Sequence, residues 1–141
     1  MAATAQVTRV IPARAEDIWE TLTSPAGMKA YMMGADVETD WSVGGPITMR
    51  GEIRGKPYVD RGEVRSFEPR RRLSYTHCSA AAPEVEHLVT FELRPHGEST
   101  EVSVTQANRD GKPRPSDADR KADYEKTWAS MLESLEAAVV A

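Results

Sequence analysis

The sequence is nearly free of cysteine. Cys78 stands alone, so no internal disulfide can form, and a reducing compartment is expected. A basic excess is also missing. Eighteen Lys and Arg face 22 Asp and Glu, a net charge of −4, so nothing drives counterion release from a phosphate backbone and nucleic acid is not an expected partner. No apolar run approaches the roughly 20 residues of a membrane span. Met1-Ala2-Ala3-Thr4 lacks a basic leader region, so the expectation is a cytoplasmic chain with no membrane insertion. A glycine-rich phosphate loop, zinc-finger spacing and a Gly-x-Ser-x-Gly elbow are absent as well, and neither a cofactor nor a metal is expected.

What is present fits one globular domain, residues 1–141. Forty per cent apolar and 28 % charged residues match an ordinary folded chain, and a globule of this size buries roughly 68 to 70 % of its unfolded surface. Val7, Arg9 and Ile11, alternating with Gln6, Thr8 and Val10, predict a strand that Pro12 closes. Ala15, Ile18, Trp19 and Leu22 fall at i, i+3, i+4 and i+7, which predicts a short amphipathic helix up to Pro25. Met28, Tyr31, Met32 and Met33 suit a second short helix, and residues 37–41 a strand before Gly44-Gly45.

Residues 47–53 and 58–67 read as strands joined at Gly55-Lys56, where glycine at the first central position suits a type II′ turn. The meander continues through residues 73–77, 88–93 and 102–106, with turns at Pro69, around residues 80–83 and at His96-Gly97. Arg70, Arg71 and Arg72 read as a solvated turn. Pro113 and Pro115 mark a linker. Ser116 then caps a long helix with Asp117 and Asp119 in its first turn. That helix sets Tyr124, Trp128, Met131, Leu132, Leu135, Ala138 and Val139 on one face and runs about 35 Å at ~1.5 Å per residue. The whole predicts an α+β fold: a curved antiparallel sheet of six to seven strands around a long C-terminal helix, with two short helices after strand one.

Hairpin turns fix register, so the inward face can be followed across the strands. Pairing Arg54 with Pro57 sets Ile53 against Tyr58, Gly51 against Asp60, Met49 against Gly62 and Ile47 against Val64. Pairing Phe67 with Arg72 sets Val64 against Tyr75 and Gly62 against His77, leaving Arg61, Glu63 and Arg65 to water. A loop over residues 79–85 sets His77 against His87, Tyr75 against Val89 and Leu73 against Phe91, and the last hairpin adds Val102 and Val104. Gly51 and Gly62 are the expected places for a bulge. The inward set mixes Ile47, Met49, Ile53, Val64, Leu73, Val89 and Phe91 with polar Tyr58, Asp60, Tyr75, His77 and His87. A dry core does not favour so many polar groups, so a wet pocket or open mouth is expected at that end.

Ile11-Pro12-Ala13 followed by Ile18-Trp19 and Leu22-Thr23, the Val43-Gly44-Gly45 step, Gly62-Glu63-Val64, Pro69 leading to Leu73-Ser74-Tyr75-Thr76, and Thr100-Glu101-Val102 before the helix of Trp128 and Leu135 occur in that order. The ordered set resembles the SRPBCC superfamily, in its branch similar to activator of heat-shock-protein ATPase homologues. The resemblance implies a helix-grip architecture whose sheet wraps the last helix around a cavity for lipids, steroids, polyketides or other apolar compounds. Tyr31 and Met32-Met33 stand where a tryptophan is common in the family, so ligand preference is not carried over. The chaperone role belongs to longer relatives with a further domain.

Three functions follow as expectations. The first is non-catalytic binding of an apolar or aromatic, lipid-like molecule, with Tyr31, Met49, Tyr58, Asp60, Tyr75, His77, His87, Phe91, Trp128 and Met131 as cavity residues. The second is a cyclase- or hydrolase-like enzyme using His77, His87, Asp60 and Tyr75 as acid, base and positioning groups. The third is a regulator that meets a protein partner through its outer sheet face, and a homodimer is a further expectation about partners. Cys78 leaves the opposite face of its strand from His77 and so cannot pair with it as nucleophile and base. Two histidines and a distant acid also lack close ligand spacing.

Overall fold

The computed structural model describes residues 5–78, 86–109 and 117–140. Strand β1 (Ala5–Ile11) is followed by helices α1 (Ala15–Thr23) and α2 (Pro25–Tyr31), strands β2 (Asp36–Glu38), β3 (Pro46–Ile53), β4 (Lys56–Glu68), β5 (Arg72–Cys78), β6 (Glu86–His96) and β7 (Ser99–Asn108), and helix α3 (Asp117–Val140). The sheet is antiparallel in the order β1-β7-β6-β5-β4-β3-β2. It is the α+β, helix-grip arrangement that the sequence predicts. No helix among the described residues is long and apolar enough to cross a membrane.

Local chemistry sets the boundaries. Ser24 ends α1 and caps α2: its hydroxyl accepts from the Gly27 amide at 3.0 Å, and Pro25 takes the first helical position, where its missing N–H costs nothing. Gly27 is required by close approach, since a Cβ there would lie 1.9 Å from the Thr21 carbonyl oxygen. β2 is shorter than residues 37–41. Trp41 takes a positive φ of 59° and turns its indole N–H onto the Thr23 carbonyl at 3.0 Å. The linker prolines, the Ser116 cap and the loop over residues 79–85 lie outside the described residues.

Two register expectations are corrected. The β3–β4 turn is Arg54-Gly55, not Gly55-Lys56. Both residues have positive φ, 53° and 79°, as a type I′ turn demands. The pairing therefore slips by two, with Ile53 against Lys56, Gly51 against Tyr58, Met49 against Asp60 and Ile47 against Gly62. Further on, Phe67 pairs with Leu73 and Glu68 with Arg72, while Val64 still pairs with Tyr75. The odd residue is a bulge between Val64 and Ser66 and not at Gly51 or Gly62. Strict alternation would send Phe67 outward with Arg61 and Glu63. The bulge brings it against Trp19 and Trp41, at ring-centroid distances of 5.2 and 5.4 Å. The β5–β6 register is the one expected: His77 against His87, Tyr75 against Val89 and Leu73 against Phe91.

The core joins Ile11, Ile18 and Leu22 to Ile47, Val64, Leu73, Phe91, Val102 and Val104, and Leu132 and Leu135 from α3 close it. The backbone of α3 approaches β1, α1 and α2. Over the middle strands only side chains fill the interval, and near the start of the helix they leave it partly empty.

Candidate functional site

The open interval is a pocket of about 420 Å³ between α3, the inner face of β3 to β7 and the segment that follows α2. Of the ten expected cavity residues, Met49, Tyr58, Asp60, Tyr75, His77, His87, Trp128 and Met131 line it. Tyr31 and Phe91 do not. Tyr31 is buried, its hydroxyl donating to the Leu22 carbonyl at 2.9 Å, and its ring meets Phe91 edge-on at 6.4 Å. Phe91 in turn supports Trp128, edge-on at 5.7 Å. Both hold up the pocket wall from beneath.

Met49, Val89, Trp128 and Met131 give the wall apolar surface, and Tyr58, Asp60, His77 and His87 add polar groups where the start of β4, the end of β5 and the start of β6 lie side by side. His77 Nε2 lies 2.9 Å from an Asp60 carboxylate oxygen, with both side chains largely withdrawn from water. An ionised carboxylate only accepts, so this bond places a proton on Nε2. Burial first, and the neighbouring Asp60 carboxylate second, push the Tyr58 phenol above its ordinary value. The Tyr58 ring lies over Gly51, where a Cβ would come within 2.5 Å of its hydroxyl oxygen. Burial raises Tyr75 strongly. A neutral phenol, a carboxylate and two imidazoles thus converge on an apolar hollow, an arrangement that can orient a carbonyl or hydroxyl or accept a proton from one.

Several lining residues fall outside the expected set. Gln106, two positions beyond Val104 on the same face of β7, accepts a hydrogen bond from the Trp128 indole at 2.7 Å. It fixes the angle at which that ring walls the pocket. Tyr124 lies one helical turn before Trp128, edge-on to His87 at 5.5 Å. Arg120, a turn earlier, donates to the Tyr124 side chain, a hydrogen bond that raises the guanidinium pKa further. Periodicity on α3 reaches these positions, since 120, 124, 127, 128 and 131 share one stripe. Met32, Met33 and Ala35 complete the rim. Met33 is 72 % exposed at a φ of 54°, and the Gly34 amide bonds the Lys29 carbonyl at 2.9 Å. This is a Schellman-type helix end with methionine in the position that usually holds glycine, and no pattern in the sequence marks it. Among the described residues, no group of three or more His, Cys, Asp or Glu is arranged to hold a metal.

Solved structures share this architecture. Protein ChR145 from Cytophaga hutchinsonii is similar at 36 % identity and a TM-score of 0.75, over 96 % of this chain and 94 % of that one. The Aha1 dimer from Colwellia psychrerythraea gives 23 % identity and a TM-score of 0.73, over 99 % of this chain and 96 % of that one. DynU16, a protein of the dynemicin biosynthetic locus, gives 21 % and 0.76, over 94 % of this chain and 45 % of that one. The last two likenesses concern the fold alone. No curated protein matches the sequence. The family described as Activator of Hsp90 ATPase homolog 1-like protein matches residues 12–140, and the chain belongs to it, within the AHSA-type branch of the SRPBCC fold.

Proposed function

We propose that the protein binds an apolar or aromatic small molecule bearing one polar end, in the pocket beneath the first half of α3. The observation that carries this reading is one hollow lined both by apolar side chains (Met49, Val89, Trp128, Met131) and by a polar cluster (Tyr58, Asp60, His77, His87). The hollow has the size of a small-ligand site. Trp128 is an internal reporter, because Trp19 and Trp41 cluster around Phe67 and do not line the pocket. A fluorescent fatty acid and a flat polycyclic aromatic, each titrated against tryptophan emission, are expected to give a saturable change for at least one probe that is lost in Trp128→Phe. No saturable response to either probe would sink the proposal. Self-association belongs to the same reading, supported by the dimeric Colwellia protein; sedimentation equilibrium tests it.

One distance favours a second, enzymatic reading, the 2.9 Å contact between His77 and Asp60. A carboxylate that holds an imidazole in one tautomer prepares its other nitrogen to accept a proton from a bound apolar substrate. Exchange of an acidic C–H of a bound ketone in deuterated water, lost in both His77→Ala and Asp60→Asn, is the expected sign. Exchange that persists in both variants, or never exceeds the buffer rate, removes the reading.

A further inference from the structure

On a chain of net negative charge, four arginines gather around one groove. The groove, about 620 Å³, lies at the β4–β5 turn, where Arg70, Arg71 and Arg72 line it together with Arg94 of β6, with Ala15 at the start of α1, Pro69 and Pro95 as apolar surface and the buried Leu93 beneath. The turn is hydrogen-bonded. Pro69 leads into Arg70 at a φ of 65°, the Arg71 amide bonds the Glu68 carbonyl at 3.0 Å, and the Arg71 carbonyl accepts from Leu93 of β6 at 2.8 Å. That last bond ties the arginine turn to the strand that carries Arg94. Among the described residues that line the groove, Glu68 and Glu92 bring opposite charge. Arg72 stands between them in the strand ladder, yet among the described residues none of the four guanidinium groups stands in an ion pair. Arg9, Arg14, Arg50, Arg65 and Arg109, by contrast, each meet a carboxylate.

We infer that this groove docks a carboxylate-rich peptide segment of a partner protein. Guanidinium forks match carboxylates in pairs, and four of them spread along a hydrogen-bonded turn and a neighbouring strand suit charges repeated along an extended chain. Pro69 and Pro95 give aliphatic stems a surface between those charges. Among the described residues no aromatic side chain lines the groove for stacking a base, and the overall charge of −4 disfavours a long phosphate polymer. All four arginines are exposed, so charge reaches the peptide without a buried cation to compensate.

The test uses the whole chain and a fluorescein-labelled peptide alternating Glu with Leu, read by anisotropy. Saturable binding is expected, weakening about tenfold or more between roughly 50 and 200 mM salt. Arg71→Gln combined with Arg94→Gln is expected to weaken it at least about tenfold with thermal melting unchanged. The corresponding pair of lysine substitutions should recover part of the loss, because charge returns without the fork. Arg61→Gln, at an exposed arginine outside the groove, should leave binding intact. No saturable binding at low salt, or binding indifferent to the double substitution, overturns the inference. So does a groove that takes tripolyphosphate and ignores the peptide.

Discussion

Tyr31 and Tyr75 illustrate what burial does to one hydroxyl. Both phenols are held above the ordinary tyrosine value, chiefly by burial, Tyr31 with a further push from Tyr75. A group whose folded pKa lies above its unfolded one contributes stability that is complete below the unfolded value of about 10 and is lost as pH rises through the folded value. These two residues therefore leave stability unchanged around neutrality and erode it above about pH 10, each by up to ~1.4 kcal/mol per pH unit. Tyr75→Phe removes one of the two ionisations, so urea midpoints followed from pH 9 upward are expected to fall less steeply than in the parent chain. Equal slopes would mean that Tyr75 ionises without cost where it lies. Only part of this was open to sequence reasoning: alternation placed Tyr75 on the inner face. Nothing in the spacing said that Tyr31 would spend its hydroxyl on the Leu22 carbonyl and lie under the pocket wall.

At the scale of strands, the legible and the illegible separate by parity. The β3–β4 pairing slipped by two residues from its expected register, yet a slip of two keeps every side chain on its face, so Tyr58, Asp60 and Met49 still line the pocket. The bulge between Val64 and Ser66 is a slip of one, and it turned Phe67 from the solvent side to the Trp19 and Trp41 cluster. Neither event has a composition signal. Arg54 is not a residue that type I′ turns favour, and no glycine marks the bulge. Gly62 is glycine for another reason, the closeness of β5: a Cβ there would stand 1.7 Å from the Thr76 carbonyl oxygen, a backbone atom that cannot swing away. Gly62→Ala is expected to cost about 3 kcal/mol through forced separation of β4 and β5, measured by urea denaturation. A loss below about 1 kcal/mol would mean that the strands part more easily than a packed sheet permits.

For the molecule as a whole, α3 performs two tasks along its length, and they can be separated. Its second half supplies Leu132 and Leu135, which seal the core with at most 1 % exposure. Its stretch up to Met131 supplies Arg120, Tyr124, Thr127, Trp128 and Met131, which face the hollow. Amphipathic spacing reveals the stripe but not where along it the packing opens, because that depends on the helix backbone approaching β1, α1 and α2 and standing off the middle strands. Leu135→Ala is expected to cost about 2 to 5 kcal/mol, and Trp128→Ala about 3 to 5 kcal/mol with loss of the donor to Gln106. Similar stability losses should have different consequences for binding. The Leu135 variant, assayed while still folded, should keep the probe affinity of the parent chain and gain about 2.7 kcal/mol from probe at a hundred times its Kd. The Trp128 variant, read through the fluorescence of the probe itself, should lose both. If the two variants lost affinity equally, the hollow would depend on the integrity of the entire core, and the division of α3 into a sealing part and a lining part would have no functional meaning.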